Sequence, residues 1–425
     1  MSTQNRVSFK VGEDVIPADI PNLKGIIGPN DLPPVPDVRA EIRRALDNPT
    51  GSPDLRHMAR GKNSAAIIVN DITRPYPGGF MVEELARDLN AAGLKDEQIF
   101  LVVAYGNHRP NTEAECREMF GDSVVDRFRI VHHDANDPAR LVNLGKTADG
   151  MAVEINKDFA EADLKITTGC IVPHQLAGFS GGRKSVIPGI SGIVGLTAHH
   201  SFPIRPRDSS MGWMDGNPFH EQALAGARLA GVDFILNTVE NASRGIVLAV
   251  AGDLDAAHRA GVETSRGIWT VPIEAKADVV VVSPGGYPRD FDLHQAQKAI
   301  GCAEMVCRPG GRIIMCAEAR DGIAKFGKTM QAANDPQEII DKFTTDGYSA
   351  DSISKAYLWC RALQRFSIVV TNCKVSKAEL AKMFLESADT LDEAIADALE
   401  EYGENASFLA IPLAAEIIPV FSAGE

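Results

Sequence analysis

From about residue 60 onward, short β-branched runs alternate with segments of helical period, and this alternation restricts the chain to parallel sheet covered by helices. Ala65 to Asn70, Gln98 to Ala104, Phe128 to His133, Leu164 to Val172 and Asp233 to Val239 read as strands of one sheet. Met81 to Ala92 and Glu113 to Phe120 read as helices between them. A second series starts with Val279 to Val282 and continues through Arg312 to Ala317 and Phe366 to Asn372, with Leu293 to Glu304 as a helix. The fold class is therefore α/β, with two α/β domains of mainly parallel sheet. The join falls near Thr270 to Ala277, which predicts domains over 1–269 and 275–410. The terminal run FLAIPLAAEIIPVF carries two prolines, so it reads as an edge strand or a crossover, with 411–425 returning to the first domain.

With 425 residues the chain has room for roughly two to three domains. Its 57 Asp and Glu outnumber 43 Lys and Arg, and the net charge of -14 repels phosphate backbones, so nucleic-acid binding is not expected. No apolar run reaches the length of a membrane span, and MSTQNRVSFK lacks the apolar stretch of a secretory leader, so a cytoplasmic enzyme with no membrane partner is the expectation. The 7 cysteines form no C-x-x-C pair, which suits reduced thiols.

In an open parallel sheet, ligands sit beyond the carboxyl ends of the strands. The residues there are not random. NDITRPYP carries Asp71, Thr73 and Arg74; YGNHRPN carries His108 and Arg109. GCIVPHQLAGFSGGRKSVIPGISG carries His174 and Lys184, and TAHHSFP carries His199 and His200. From the second series, SPGGYPRDFDLHQAQKAI carries His294, Gln295 and Lys298. Bland readings stand beside these. A lone arginine after a strand pairs a surface carboxylate as readily as it binds a ligand. His132 and His133 close a strand without neighbouring glycines or cations and read as structural; His57, His220 and His258 read as surface or packing residues, and Trp359 reads as core.

Gly178 to Ser185, GFSGGRKS, nearly matches the G-x-x-x-x-G-K-S/T phosphate loop but has Arg183 where that pattern needs glycine, which argues against a nucleoside triphosphatase. The backbone at Gly181 and Gly182, with Arg183, Ser180 and Ser185, still suits a single phosphate; a plain flexible turn is equally consistent. Lys184 suits a phosphate contact, a Schiff base or a covalent cofactor equally. The His199 and His200 pair gives at most one metal ligand, because adjacent side chains do not face the same ion.

Taken together, NDITRP, GNHRP, PHQLAGFSGGRKSVIPG, the histidine pair and GGYP with QAQKAI resemble the lactate racemase family over about residues 65 to 300. The resemblance implies two α/β domains with the active site in the cleft between them. It also implies a nickel-pincer nucleotide tethered to Lys184, with His200 as a nickel ligand, and enzymes that assemble that cofactor as partners. By the same resemblance His108 and His174 are the acid/base pair, and Arg74, Gln295 and Lys298 bind the substrate. Asp71, Thr73, Gly181, Gly182, Arg183 and Ser185 line the cofactor side. The implied activity is inversion at C2 of a small 2-hydroxy acid, in which a histidine takes the hydroxyl proton while hydride leaves the carbon. Each histidine is then expected to titrate near the working pH of about 7. His294 stands where several members carry tyrosine, which leaves the preferred side chain open between lactate, malate, phenyllactate and sugar acids. Arg109 or Arg289 could hold a second carboxylate, and Trp359 could wall the pocket. Two rivals are an oxidoreductase, which lacks its G-x-G-x-x-G turn here, and a non-catalytic anion-binding protein on the same scaffold.

Overall fold

Two six-stranded sheets realise the alternation read from the sequence. The computed structural model describes residues 5–74, 76–200, 211–346 and 353–421. The three residues that follow His200 in the histidine-pair motif, and 422–425 of the terminal segment, lie outside the described residues.

The first sheet runs Ile246–Gly252, Phe234–Glu240, Leu164–Ile171, Ala65–Asn70, Ile99–Ala104 and Arg129–His132. All neighbours are parallel except the edge strand Ile246–Gly252, which turns back antiparallel on Phe234–Glu240. The strands are buried on both faces, as the near-continuous apolar runs AAIIVN and IFLVVA require. Helices Val38–Asp47 and Gly78–Ala91 cover one face, and Arg43 ties them together through two hydrogen bonds to Asp88 at 3.0 and 2.6 Å. Helix Pro218–Leu229 contributes Ala223, Leu224 and Ala227 to the opposite face.

The second sheet runs Glu386–Ala388, Ser367–Thr371, Cys307–Cys316, Ala277–Val282, Phe408–Ile411 and Leu23–Ile26, all parallel. Its last strand corrects the division at residue 1. Leu23–Ile26 pairs with Phe408–Ile411, and the hairpin of Arg6–Val11 with Asp14–Asp19 buries Val7, Phe9 and Val11 against Val279, Val281 and Ile314. The N-terminal segment thus belongs to the second body. The prolines of the terminal run do separate it into pieces. Phe408–Ile411 enters the second sheet, whereas Ile418–Phe421 pairs with Thr270–Ile273 at the join. Pro419 and Pro272 face each other's strands in this two-stranded ribbon, where few ladder bonds are lost.

In each sheet the chain moves to one side of its first strand and later returns to the other. That gives a switch point between Ala65–Asn70 and Leu164–Ile171, and another between Ala277–Val282 and Phe408–Ile411. The crevices just beyond these strand ends are where the fold leaves room for a ligand. No helix among the described residues is long and apolar enough to cross a membrane, and all seven cysteines are free thiols.

Candidate active site at the two switch points

Asp71 is the first residue past strand Ala65–Asn70, and only 3% of it is exposed. Its Oδ1 accepts hydrogen bonds from the Thr73 hydroxyl at 2.6 Å and the Thr73 N–H at 3.2 Å, while Oδ2 lies 2.6 Å from His108 Nδ1. Asn111 Oδ1 fixes the same turn by accepting from Ile72 N–H at 3.1 Å. Burial pushes the Asp71 carboxyl upward, but the bonds from His108 and Thr73, with Arg74 nearby, hold it below its ordinary range. An ionised carboxylate only accepts, so His108 Nδ1 carries the proton and Nε2 keeps its lone pair.

His174, after strand Leu164–Ile171, has the opposite tautomer. The N–H groups of Leu176 and Ala177 both donate to its Nδ1 at 3.2 Å, so the neutral ring carries its proton on Nε2. Burial first, then Lys184, Arg74, Lys298 and Lys355, depress its pKa well below the ordinary imidazole range. The expectation that both histidines titrate near 7 therefore fails at His174.

The glycine loop is not an open phosphate seat. Arg183, 1% exposed, is turned inward: its guanidinium donates to Ala177 O at 2.8 Å and Gly181 O at 3.3 Å, and lies 2.9 Å from His258 Nε2. Ser180 Oγ donates to Cys170 O at 2.7 Å, and Ser185 Oγ to Thr168 O at 3.0 Å. Gly182 packs so closely that an added Cβ would meet the His258 ring at 3.0 Å, and Gly182 N–H donates to Asn237 Oδ1 at 2.9 Å. This corrects the reading of Arg183 and Ser185 as cofactor contacts: their polar groups hold the loop to the sheet. Sequence showed which residues form the loop but not where their side chains point. Lys184 is different. Burial, followed by Arg74, Arg183, Lys298 and Lys355, drives its pKa well down, which favours an uncharged, nucleophilic amine.

His199 and His200 end helix Ile193–His200 with their rings 5.4 Å apart and perpendicular. His199 is fully buried, 2.9 Å from Gln222 Oε1 and against Phe219. His200 donates Nδ1–H to Leu196 O at 3.0 Å, and burial lowers its pKa to about 4. That tautomer leaves Nε2 as an electron-pair donor, the arrangement in which second-shell carbonyls prepare a metal-ligating imidazole. Among the described residues no three His, Cys, Asp or Glu side chains gather as a metal cluster.

The second sheet supplies helix Leu293–Val306, capped by Asp292, whose carboxylate accepts from Gln295 N–H at 2.7 Å. On the next turn Lys298 Nζ donates to Gln295 Oε1 at 2.6 Å. Burial first, then Arg74 across the crevice, lowers Lys298 to about 8. That coupling, with the action of Lys298 on His174 and Lys184, brings the two switch points together. Lys355, on helix Ile353–Leu363, joins the same cluster and was missed, because no motif surrounds it and only the packing of the two helices brings it there. Arg109 and Arg289 stay out of the cluster, the first bonded to Glu115 at 2.8 Å and the second to Glu416 at 2.9 Å. Trp359 is fully buried and stacks on Phe326, so it backs the site from the core rather than walling it.

Fold and site together define a two-domain α/β enzyme with imidazoles and amines from both sheets gathered where the strand order reverses. Residues 11–212 match the lactate racemase N-terminal domain and residues 273–418 the lactate racemase C-terminal domain. A lactate racemase of Lactiplantibacillus plantarum is 35% identical over 87% of this chain and 88% of its own length. That of Thermoanaerobacterium thermosaccharolyticum is 34% identical over 83% and 84%. The lactate racemase apoprotein structure from Thermoanaerobacterium thermosaccharolyticum superposes with a TM-score of 0.91 at 31% identity, covering 98% of this chain and 100% of that one. A Thermotoga maritima protein, with a TM-score of 0.65 and 17% identity, shares the fold. The chain belongs to the lactate racemase family and is an isomerase.

Proposed function

We propose that this enzyme inverts C2 of lactate or a related small 2-hydroxy acid, with a nickel-pincer nucleotide bound covalently at Lys184 and through nickel at His200. The side chains suit that group. Lys184 offers a depressed, nucleophilic amine for acylation, and His200 offers an Nε2 electron pair on a ring fixed by Leu196 O. When bound, the cofactor supplies a reversible hydride acceptor. One carboxylate oxygen pair suits Arg74, and Lys298 completes the charge from the other sheet.

The observation that carries the reading is the pair of imidazoles held in opposite tautomers within one cation-lined crevice. His108 Nε2 accepts the substrate hydroxyl proton, and the Asp71 carboxylate supports the resulting imidazolium. His174 meets the substrate oxygen as a neutral Nε2–H donor and stabilises charge there. Gathering the site from two sheets allows closure that keeps water from the 2-oxo acid formed in passing.

The test is protein produced with and without the cofactor-assembly enzymes, followed by intact mass, nickel content and chiral product analysis on C2-deuterated lactate. The expected result is an adduct on wild type that Lys184→Ala lacks, inversion with deuterium retained at C2, and loss of inversion in His108→Ala with the adduct still present. A fully active wild type without nickel or adduct would overturn the proposal. So would free exchange of the C2 deuterium with solvent.

A further inference from the structure

We infer that Lys355, with the helix face carrying His294, Gln297 and Lys298, forms a second anion subsite that takes the distal carboxylate of a dicarboxylic 2-hydroxy acid. The inference rests on the racemase reading and adds a substrate class to it. Lys355 is 8% exposed and donates from Nζ to Gln297 Oε1 at 3.0 Å. Gln297 itself is 1% exposed and lies one helical turn beyond His294 and next to Lys298. Lys298 likewise rests on an amide oxygen, that of Gln295. Neither ammonium forms an ion pair with a described carboxylate, although Asp292 is near enough to favour the charged form of Lys355.

Buried ammonium groups held only by neutral amides call for an anion. One substrate carboxylate gripped by Arg74 and Lys298 uses two of the cations, and acylation removes the charge of Lys184. Lys355 is left over. It stands behind Lys298 on the side of the second sheet, where the far end of a substrate gripped at its first carboxylate extends. His294, its ring edge 6.2 Å from the Phe326 centroid, adds an imidazole to the same face. Arg109 and Arg289, the cations that sequence suggested for this task, are already occupied by Glu115 and Glu416.

The probe pair is malate against 2-hydroxybutyrate, of equal chain length, turned over by the cofactor-loaded wild type, Lys355→Met and Lys355→Arg. Wild type is expected to favour malate at least about 10-fold in kcat/KM, and Lys355→Met to lower the malate to 2-hydroxybutyrate ratio by about 100-fold, the loss of one charged hydrogen bond. Lys355→Arg restores part of that ratio. Calorimetry on unloaded protein gives a readout free of turnover: succinate binding weakens at least about 10-fold in Lys355→Met, and butyrate binding shifts much less. A wild type that prefers 2-hydroxybutyrate overturns the inference and leaves the racemase reading standing, as does an equal loss on both acids in Lys355→Met. If the loaded enzyme inverts neither acid but succinate binding still depends on Lys355, the racemase reading fails and the anion subsite stands.

Discussion

Asp71 holds its partners by a division of labour between its two oxygens, Oδ1 receiving both Thr73 donors and Oδ2 facing His108. In Asp71→Asn the Thr73 donors keep the amide oxygen on their own side, so the amide N–H turns toward His108 Nδ1. The ring then takes the Nε2–H tautomer and loses its base. We expect kcat to fall by about 1,000-fold or more, as when other carboxylate-oriented imidazoles are flipped, with the Lys184 adduct mass unchanged. A kcat within about tenfold of wild type would sink this account. At this scale the sequence was informative about which residues cluster but not about where they aim. His108, His174 and Lys184 were legible because they follow strands and sit among glycines and cations. Arg183 was misread because a buried guanidinium bonded to carbonyls and one poised for phosphate have the same one-letter neighbourhood. Lys355 was invisible because its place depends on two helices more than fifty residues apart.

At the scale of elements, strand identity was legible from β-branched runs, and Ala65–Asn70 and Glu113–Phe120 have the boundaries read from sequence. Pairing partners were not. Leu23–Ile26, with two of its four residues exposed, shows no core signature of its own and becomes a strand only because Phe408–Ile411 offers it an edge. Ile246–Gly252 was missed for the related reason that its antiparallel return depends on the turn at Arg244, where φ is positive. The glycine loop is an element with a clear packing test. Gly181 has φ +78, and a Cβ there would lie 2.9 Å from Ile171 Cγ1 and 3.1 Å from Asn237 Oδ1. Gly181→Ala should therefore lower stability by about 1–3 kcal/mol, through backbone strain and overpacking together. The urea unfolding midpoint of the variant checks it, and an unchanged midpoint would mean the loop is free to shift.

At the scale of the whole molecule, several imidazoles are buried neutral between the sheets and their helices, and they link stability to pH. Burial lowers His133 to about 4, against partial support from its bond to Ser191 O at 3.0 Å, and it drives His199 and His258 well below the ordinary range. The sign follows from which state binds protons. Between about 6.5 and 4 the unfolded chain protonates these rings while the folded chain keeps them neutral. Stability present above pH 6.5 is thus lost as pH falls toward the folded value, at about 1.4 kcal/mol per pH unit for each ring and about 3 kcal/mol for His133 over the full window. Urea unfolding at pH 7, 6 and 5 should show a steep fall, and His133→Gln, which keeps a donor for Ser191 O, should make that fall shallower by about one proton's slope. A midpoint that holds steady from pH 7 to 5 would mean that these rings take up protons in the folded state, by opening toward water or by turning to new acceptors. The sheets could not then be holding the imidazoles of the crevice in fixed tautomers either. The pH dependence of folding therefore tests the rigidity on which the assignment of His108 as acceptor and His174 as donor relies.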